Sequence, residues 1–121
     1  MSIILPEIVD SHCHLDFPEL LKDIDNVVCR AKRRGVCKFV TICTKEEDLE
    51  KVISLAESFK EIYFAFGLHP MNVSDSSKIS LESLLEAAKH PKMIGIGETG
   101  LDYYYTVETK ELQIESLITH I

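Results

Sequence analysis

Four short apolar runs punctuate the chain: Ile8-Val9, Phe39-Val40-Thr41-Ile42, Ile62-Tyr63-Phe64-Ala65-Phe66 and Met93-Ile94-Gly95-Ile96. Each is too short for a buried helix, and its apolar positions are nearly continuous rather than alternating. That pattern predicts strands of a parallel sheet covered on both faces. Between the runs the period changes. Pro18 suits a first helical turn, and Leu20, Ile24, Val27, Val28 and Ala31 then recur on one apolar face. Lys32, Arg33 and Arg34 complement the dipole of the last turn, and Gly35 can close it in a left-handed conformation.

The second helix is expected to open on the capping box Thr44-x-x-Glu47, with Leu49, Val52, Ile53 and Ala56 inward. A third runs from Ser80 through Leu81, Leu84, Leu85 and Ala88, and stops before Pro91. The fourth follows Thr106 as cap, with Ile114, Leu117, Ile118 and Ile121 as its apolar face. That stripe runs to the last residue with no glycine or basic turn to close it, which predicts that an element packed against it lies beyond the chain.

Four strand–helix units in order make an α/β fold. A complete (β/α)8 TIM barrel takes about 250 residues, or about 31 per unit, so this chain holds about four units, a half barrel. The alternative is a small open doubly wound sheet, complete in itself. Either way, 121 residues allow one domain with a modest core.

Composition narrows the function. Hydrophobic residues make up 45% and charged residues 27%, an ordinary globular balance, and the net charge is −7. No apolar run approaches the roughly 20 residues of a bilayer span. The opening MSIILPEIVD lacks a basic leader and meets Glu7 and Asp10 early, so a cytoplasmic location is expected and no membrane partner. The acidic balance excludes a broad basic nucleic-acid groove, yet leaves a phosphate substrate open if bound metal supplies the positive charge. Cys13, Cys29, Cys37 and Cys43 form no C-x-x-C pair and are expected as free thiols.

Three stretches carry candidate chemistry. In Asp10-Ser11-His12-Cys13-His14, at the end of the first run, residues two apart point to one face of a strand. His12 and His14 therefore converge, and two neutral imidazoles so placed can share one divalent cation, with Asp10 able to orient a ring from behind. A histidine pair at a strand end can equally meet only water. In Gly95-Ile96-Gly97-Glu98-Thr99-Gly100-Leu101-Asp102, Glu98 follows a strand directly, on the face where barrels and open sheets bind ligands, and starts no helix. Asp102 reads equally well as a turn residue. Gly67-Leu68-His69-Pro70 also follows a strand, and His69 is either a contact for an anionic group or a loop histidine fixed by Pro70. His90, at a helix end, reads as a dipole partner. His120 has no partner in view. In an open sheet of order 2-1-3-4 the first and fourth strands lie about 10 Å apart, whereas a barrel wall curves inward residues toward one centre. A cation shared by His12, His14 and Glu98 thus favours the barrel, and three N/O donors suit Zn, Mn or a related ion.

These stretches, taken in order and extended to Leu15-Asp16 and Tyr103-Tyr104-Tyr105, give the chain its family likeness. It resembles the N-terminal half of the TatD-type metal-dependent deoxyribonucleases, among the amidohydrolase-like barrel hydrolases. The likeness covers essentially all 121 residues and implies that they form the N-terminal part of a single TIM-barrel domain. It implies one or two divalent ions (Mg, Mn or Zn), with His12 and His14 as the first metal pair and Glu98 as the carboxylate ligand. Glu98 would bridge toward a second ion, and His69 would touch substrate phosphate. Two further histidines and an aspartate of the family come from later strands, beyond Ile121. The implied reaction is hydrolysis of DNA phosphodiester bonds by metal-activated water. A small amide or ester substrate is the alternative for the same metal. A non-catalytic half barrel that self-associates or pairs with a complementing C-terminal half is the alternative from another class.

Overall fold

The apolar runs become four strands: β1 (Ile8–Cys13), β2 (Val36–Cys43), β3 (Ile62–Phe66) and β4 (Met93–Ile96). The computed structural model describes residues 4–121; residues 1–3, the head of the segment read above for a leader, lie outside it. Every strand pair is parallel, and the order across the sheet is β1-β2-β3-β4. Sequential parallel strands alternating with helices are half the winding of a (β/α)8 barrel, not the 2-1-3-4 order of a doubly wound sheet.

The helices follow the predicted segments with instructive departures. The first divides into α1 (Pro18–Leu21) and α2 (Ile24–Arg33). Pro18 opens α1 as expected, but the backbone leaves the helix at Asp23, whose carboxylate accepts from Asn26 Nδ2 at 2.7 Å. A short acidic side chain that finds local partners competes with the helical ladder. Gly35 closes α2 at φ +95°, and a Cβ there would lie 2.5 Å from the Pro6 carbonyl oxygen, so glycine is needed twice over.

The Thr44/Glu47 capping box does not form. Thr44 uses its carbonyl to accept from His69 N and Asn72 Nδ2, and a 3-10 turn (Glu46–Asp48) leads into α3 (Leu49–Ser58). At α4 (Leu81–Ala87) the helix starts where expected, Ser80 Oγ capping it by accepting from Ser83 N at 3.0 Å; Leu84 and Ala87 are buried, while Leu81, Leu85 and Ala88 are exposed.

The fourth predicted helix differs most. A 3-10 turn (Val107–Thr109) precedes α5 (Lys110–His120), which buries Gln113, Ser116 and His120. Ile114 and Ile118 of the expected inner face point outward, Ile118 being 67% exposed. The loops after β3 and β4 present backbone groups to α5, and buried backbone groups require polar partners. The helix therefore turns its polar side in.

The core lies between the sheet and α2, α3 and α4, where Phe39, Ile62, Phe64 and Phe66 meet Val28, Val52, Leu55, Ala56, Leu84 and Ala87. On the opposite face of the inner strands, Val40, Tyr63 and Ala65 are only half-buried. Ile42 on that face is buried, so among the described residues cover on both faces is partial: four strands form an arc, and much of the side facing the arc's centre is open. All four cysteines are free, and among the described residues no helix is long and apolar enough to cross a membrane.

Candidate metal centre

β1 and β4 are the two edges of the sheet, three strand spacings apart, which would be about 14 Å in a flat sheet. Yet His12 Nε2, on β1, lies 3.4 Å from Glu98 Oε2, just past β4. Curvature of the sheet brings them together. One glycine makes the close approach possible beside β4: a Cβ on Gly67 would meet the Glu98 carbonyl oxygen at 2.8 Å and the Gly97 carbonyl carbon at 2.9 Å.

The histidines are held from behind. A carbonyl only accepts, so the 3.3 Å contact of His14 Nδ1 with the Ile42 carbonyl places the proton on Nδ1 and leaves the Nε2 lone pair of a neutral ring free. Phe17 stacks on that ring at 4.8 Å. The expected orienting role of Asp10 is not seen, since its carboxylate accepts from the His12 backbone N–H at 3.2 Å rather than from a ring. Cys13, between the two histidines, points to the other side of the strand. Its Sγ donates to the Val40 carbonyl, and burial, aided by the charges of Asp10 and Asp16, pushes the thiol up to about 12.

His69 stands on the far side of Glu98. Its Nδ1 accepts from the Met71 backbone N–H at 3.1 Å, which leaves the proton of the neutral ring on Nε2, 3.3 Å from Glu98 Oε1. Glu98 therefore has one oxygen toward His12 and the other toward His69.

One donor atom each from His12, His14 and Glu98 lies within 4.8 Å of the others. Tetrahedral N and O donors at about 2.0–2.2 Å from an ion sit about 3.4 Å apart, so this set fits a divalent cation after small adjustments. The site is open, with His12 exposed and Glu98 half-buried. Sequence reasoning named all four of these residues, and the fold brings all four together. Asp16, at the end of the first signature, is buried, its carboxyl raised by burial, and Lys51 lies 3.9 Å away.

Asp102 stays out of the cluster. Its Oδ1 accepts from the backbone N–H groups of Tyr104 and Tyr105, which is the turn reading. His90 contacts Glu57 Oε1 through Nε2 at 3.0 Å and accepts from Lys92 N through Nδ1, fastening the entry to β4. Two residues near the site escaped the sequence reading. Gln113 Oε1 accepts from Asp102 N at 2.6 Å, and His120 Nε2 accepts from Leu68 N at 3.0 Å. The only sequence signal was polar residues at 113, 116 and 120, a spacing that ordinarily marks a solvated face.

Known proteins are similar to this chain in sequence and fold. The chain is 39% identical over 117 residues to the Escherichia coli protein YcfH, named an uncharacterized metal-dependent hydrolase, the match covering 94% of this chain and 43% of that one. The crystal structure of YjjV, a TatD homolog from Escherichia coli K12, superposes with a TM-score of 0.80 at 35% identity, over 93% of this chain and 44% of that one. A hydrolase of the TatD family from Entamoeba histolytica shares the fold, with a TM-score of 0.81 at 22% identity, over 98% of this chain and 46% of that one. The chain thus spans less than half the length of these relatives. The model of the TatD related DNase family matches residues 9–121, and with the signatures and strand order described above, the chain belongs to that family.

Proposed function

We propose that residues 1–121 form the N-terminal part of one barrel domain and carry the first metal-binding half of a divalent-metal-dependent hydrolase that cleaves DNA phosphodiester bonds. The observation that carries this is the convergence of His12, His14 and Glu98 from the two edges of one sheet. In this reading His14 is presented by the Ile42 carbonyl, His12 and Glu98 complete the donor set, and Mg, Mn or Zn fits it. A bound ion supplies charge stabilisation at the attacked phosphate and a more acidic water. His69 keeps Glu98 turned, and its Nε2 proton faces the site, where it can meet a phosphate oxygen.

The exposed edge strands favour a companion reading for assembly. Val9 is 55% exposed and Ile94 58%, and an uncovered strand edge is a template for pairing. A complementing C-terminal half is the partner these edges suit, since the family's remaining ligands come from later strands. Light scattering of the chain alone should show self-association; a monodisperse monomer that melts cooperatively would remove this part of the proposal.

The experiment for the site is Glu98→Gln. Calorimetric titration with Mn²⁺ or Zn²⁺ should show affinity at least about tenfold weaker, with the thermal midpoint nearly unchanged. Unchanged affinity would remove Glu98 from the donor set. Supplied with its complementing half, the chain should cleave an end-labelled DNA oligomer in Mn²⁺ and leave small esters and amides intact. Turnover of the small substrates alone would move the reading to the amide or ester class.

A further inference from the structure

The buried side of α5 is made of Gln113, Ser116 and His120, and two of these side chains are fully committed. His120 Nε2 accepts from the Leu68 backbone N–H at 3.0 Å, and His120 Nδ1 lies 2.6 Å from the Ser116 carbonyl. Since a carbonyl only accepts, the proton is on Nδ1 and both ring nitrogens are used. Gln113, completely buried, accepts from Asp102 N through Oε1 and donates through Nε2 to the carbonyls of Asp102 and Thr106. One helix face thus grips two loops. The first, after β3, carries His69 next to Leu68; the second, after β4, runs from Glu98 to Asp102 and Thr106.

We propose that His120 and Gln113 are positioning residues that hold these two loops in register, and so set the spacing between His69 and Glu98. The inference rests on the metal reading for its consequence, but the brace itself is a property of the loops. A bond to the Leu68 amide restrains the residue before His69, and the paired bonds to Asp102 restrain the far end of the Glu98 loop. With both loops fixed to one rigid helix, the 3.3 Å contact of His69 Nε2 with Glu98 Oε1 is kept, and Glu98 keeps its other oxygen toward His12. Groups bonded directly to a metal ligand change metal affinity by about 10–100-fold when removed; His120 acts one step further back, through His69, so the expected loss is at the lower end of that range.

The test compares His120→Leu, which removes the acceptor, with His120→Gln, whose Oε1 can accept from the Leu68 N–H again. Ser116→Ala is the control, because it sits on the same buried face and its hydroxyl bonds neither loop. In His120→Leu, amide exchange at Leu68 should speed up at least about tenfold relative to Ile62 and Phe64 in β3, and Mn²⁺ binding should weaken by about tenfold. His120→Gln should recover both to near wild type, and Ser116→Ala should change neither. A loss of thermal stability without these local changes, or no recovery in His120→Gln, would reduce His120 to a packing residue and overturn the proposal. Should His120→Leu not fold, the unaltered protein decides: a scalar coupling across the hydrogen bond from Leu68 N to His120 Nε2 in nitrogen-15 spectra is expected, and its absence refutes the brace. If wild-type protein binds no Mn²⁺, the metal reading fails, while Leu68 exchange and the coupling still decide the brace.

Discussion

The inner strands β2 and β3 and the outer strands β1 and β4 belong to one sheet but do different work. Phe39, Thr41 and Cys43 on β2 sit in register with Ile62, Phe64 and Phe66 on β3, and all six are buried against the helices. On β1 and β4, Ile8, Val9, Ile94 and Ile96 are largely exposed, yet it is from these strands and their ends that His12, His14 and Glu98 come. Burial is concentrated in the middle of the sheet and the candidate metal donors at its margins. The margins meet only because the middle is rigid and curved.

The largest predicted effect follows from that division. Phe64→Ala should cost about 3–5 kcal/mol, because it removes a completely buried ring and leaves a cavity. Against a total stability of about 5–15 kcal/mol for ordinary domains, that populates the unfolded state. Ile94→Ala, one strand away and 58% exposed, should cost less than about 1 kcal/mol. Urea unfolding followed by circular dichroism measures both, and similar losses would erase the distinction between middle and margin.

Gly67→Ala tests the hinge between the two regions. The added methyl would press on the backbone of Gly97 and Glu98, so neither flexible side chain nor solvent can yield. Overpacking of this kind costs about 1–3 kcal/mol. Because the displaced backbone carries Glu98, Mn²⁺ affinity should fall along with the thermal midpoint. Loss of stability with affinity intact would show that the margin adjusts independently of β3.

The same division explains what could be read from the amino acids. Strand existence and sequential order were legible because Phe39–Ile42 and Ile62–Phe66 are apolar without interruption, and a hydrophobic run reports burial directly. The four residues of the candidate centre were legible because each lies at or just past the C-terminal end of a strand, where a barrel puts its site. What could not be read depends on partners distant in sequence. Thr44 looks like a helix cap until His69 and Asn72 claim its carbonyl. Gln113 and His120 look like a wet stripe until the loops holding Leu68 and Asp102 arrive with unpaired backbone groups. Asp10 shares a strand face with the imidazoles, but its carboxylate is bonded to a backbone N–H two residues on.

A smaller, pH-dependent effect is predicted at the opposite end of the strands from the candidate metal centre. Glu61, just before β3, pairs with Lys32 near the end of α2, and the ammonium bonded to it holds its carboxyl below the ordinary 4.5. A carboxylate with a lowered pKa stabilises the fold above its unfolded-state value, and that contribution is lost as pH falls through the lowered folded-state value. Glu61→Gln should therefore cost about 1 kcal/mol at pH 7, and the gap from wild type should persist to about pH 5 and close in more acidic solution. Added salt should shrink the gap at neutral pH, since Lys32 is half-exposed to solvent. Thermal melts across pH check this, and Mn²⁺ affinity in the variant should match wild type, because nothing in the pair reaches His12, His14 or Glu98. A change in affinity here would mean that the ends of the strands are coupled through the sheet, and that stability and chemistry are not divided as the burial pattern divides them.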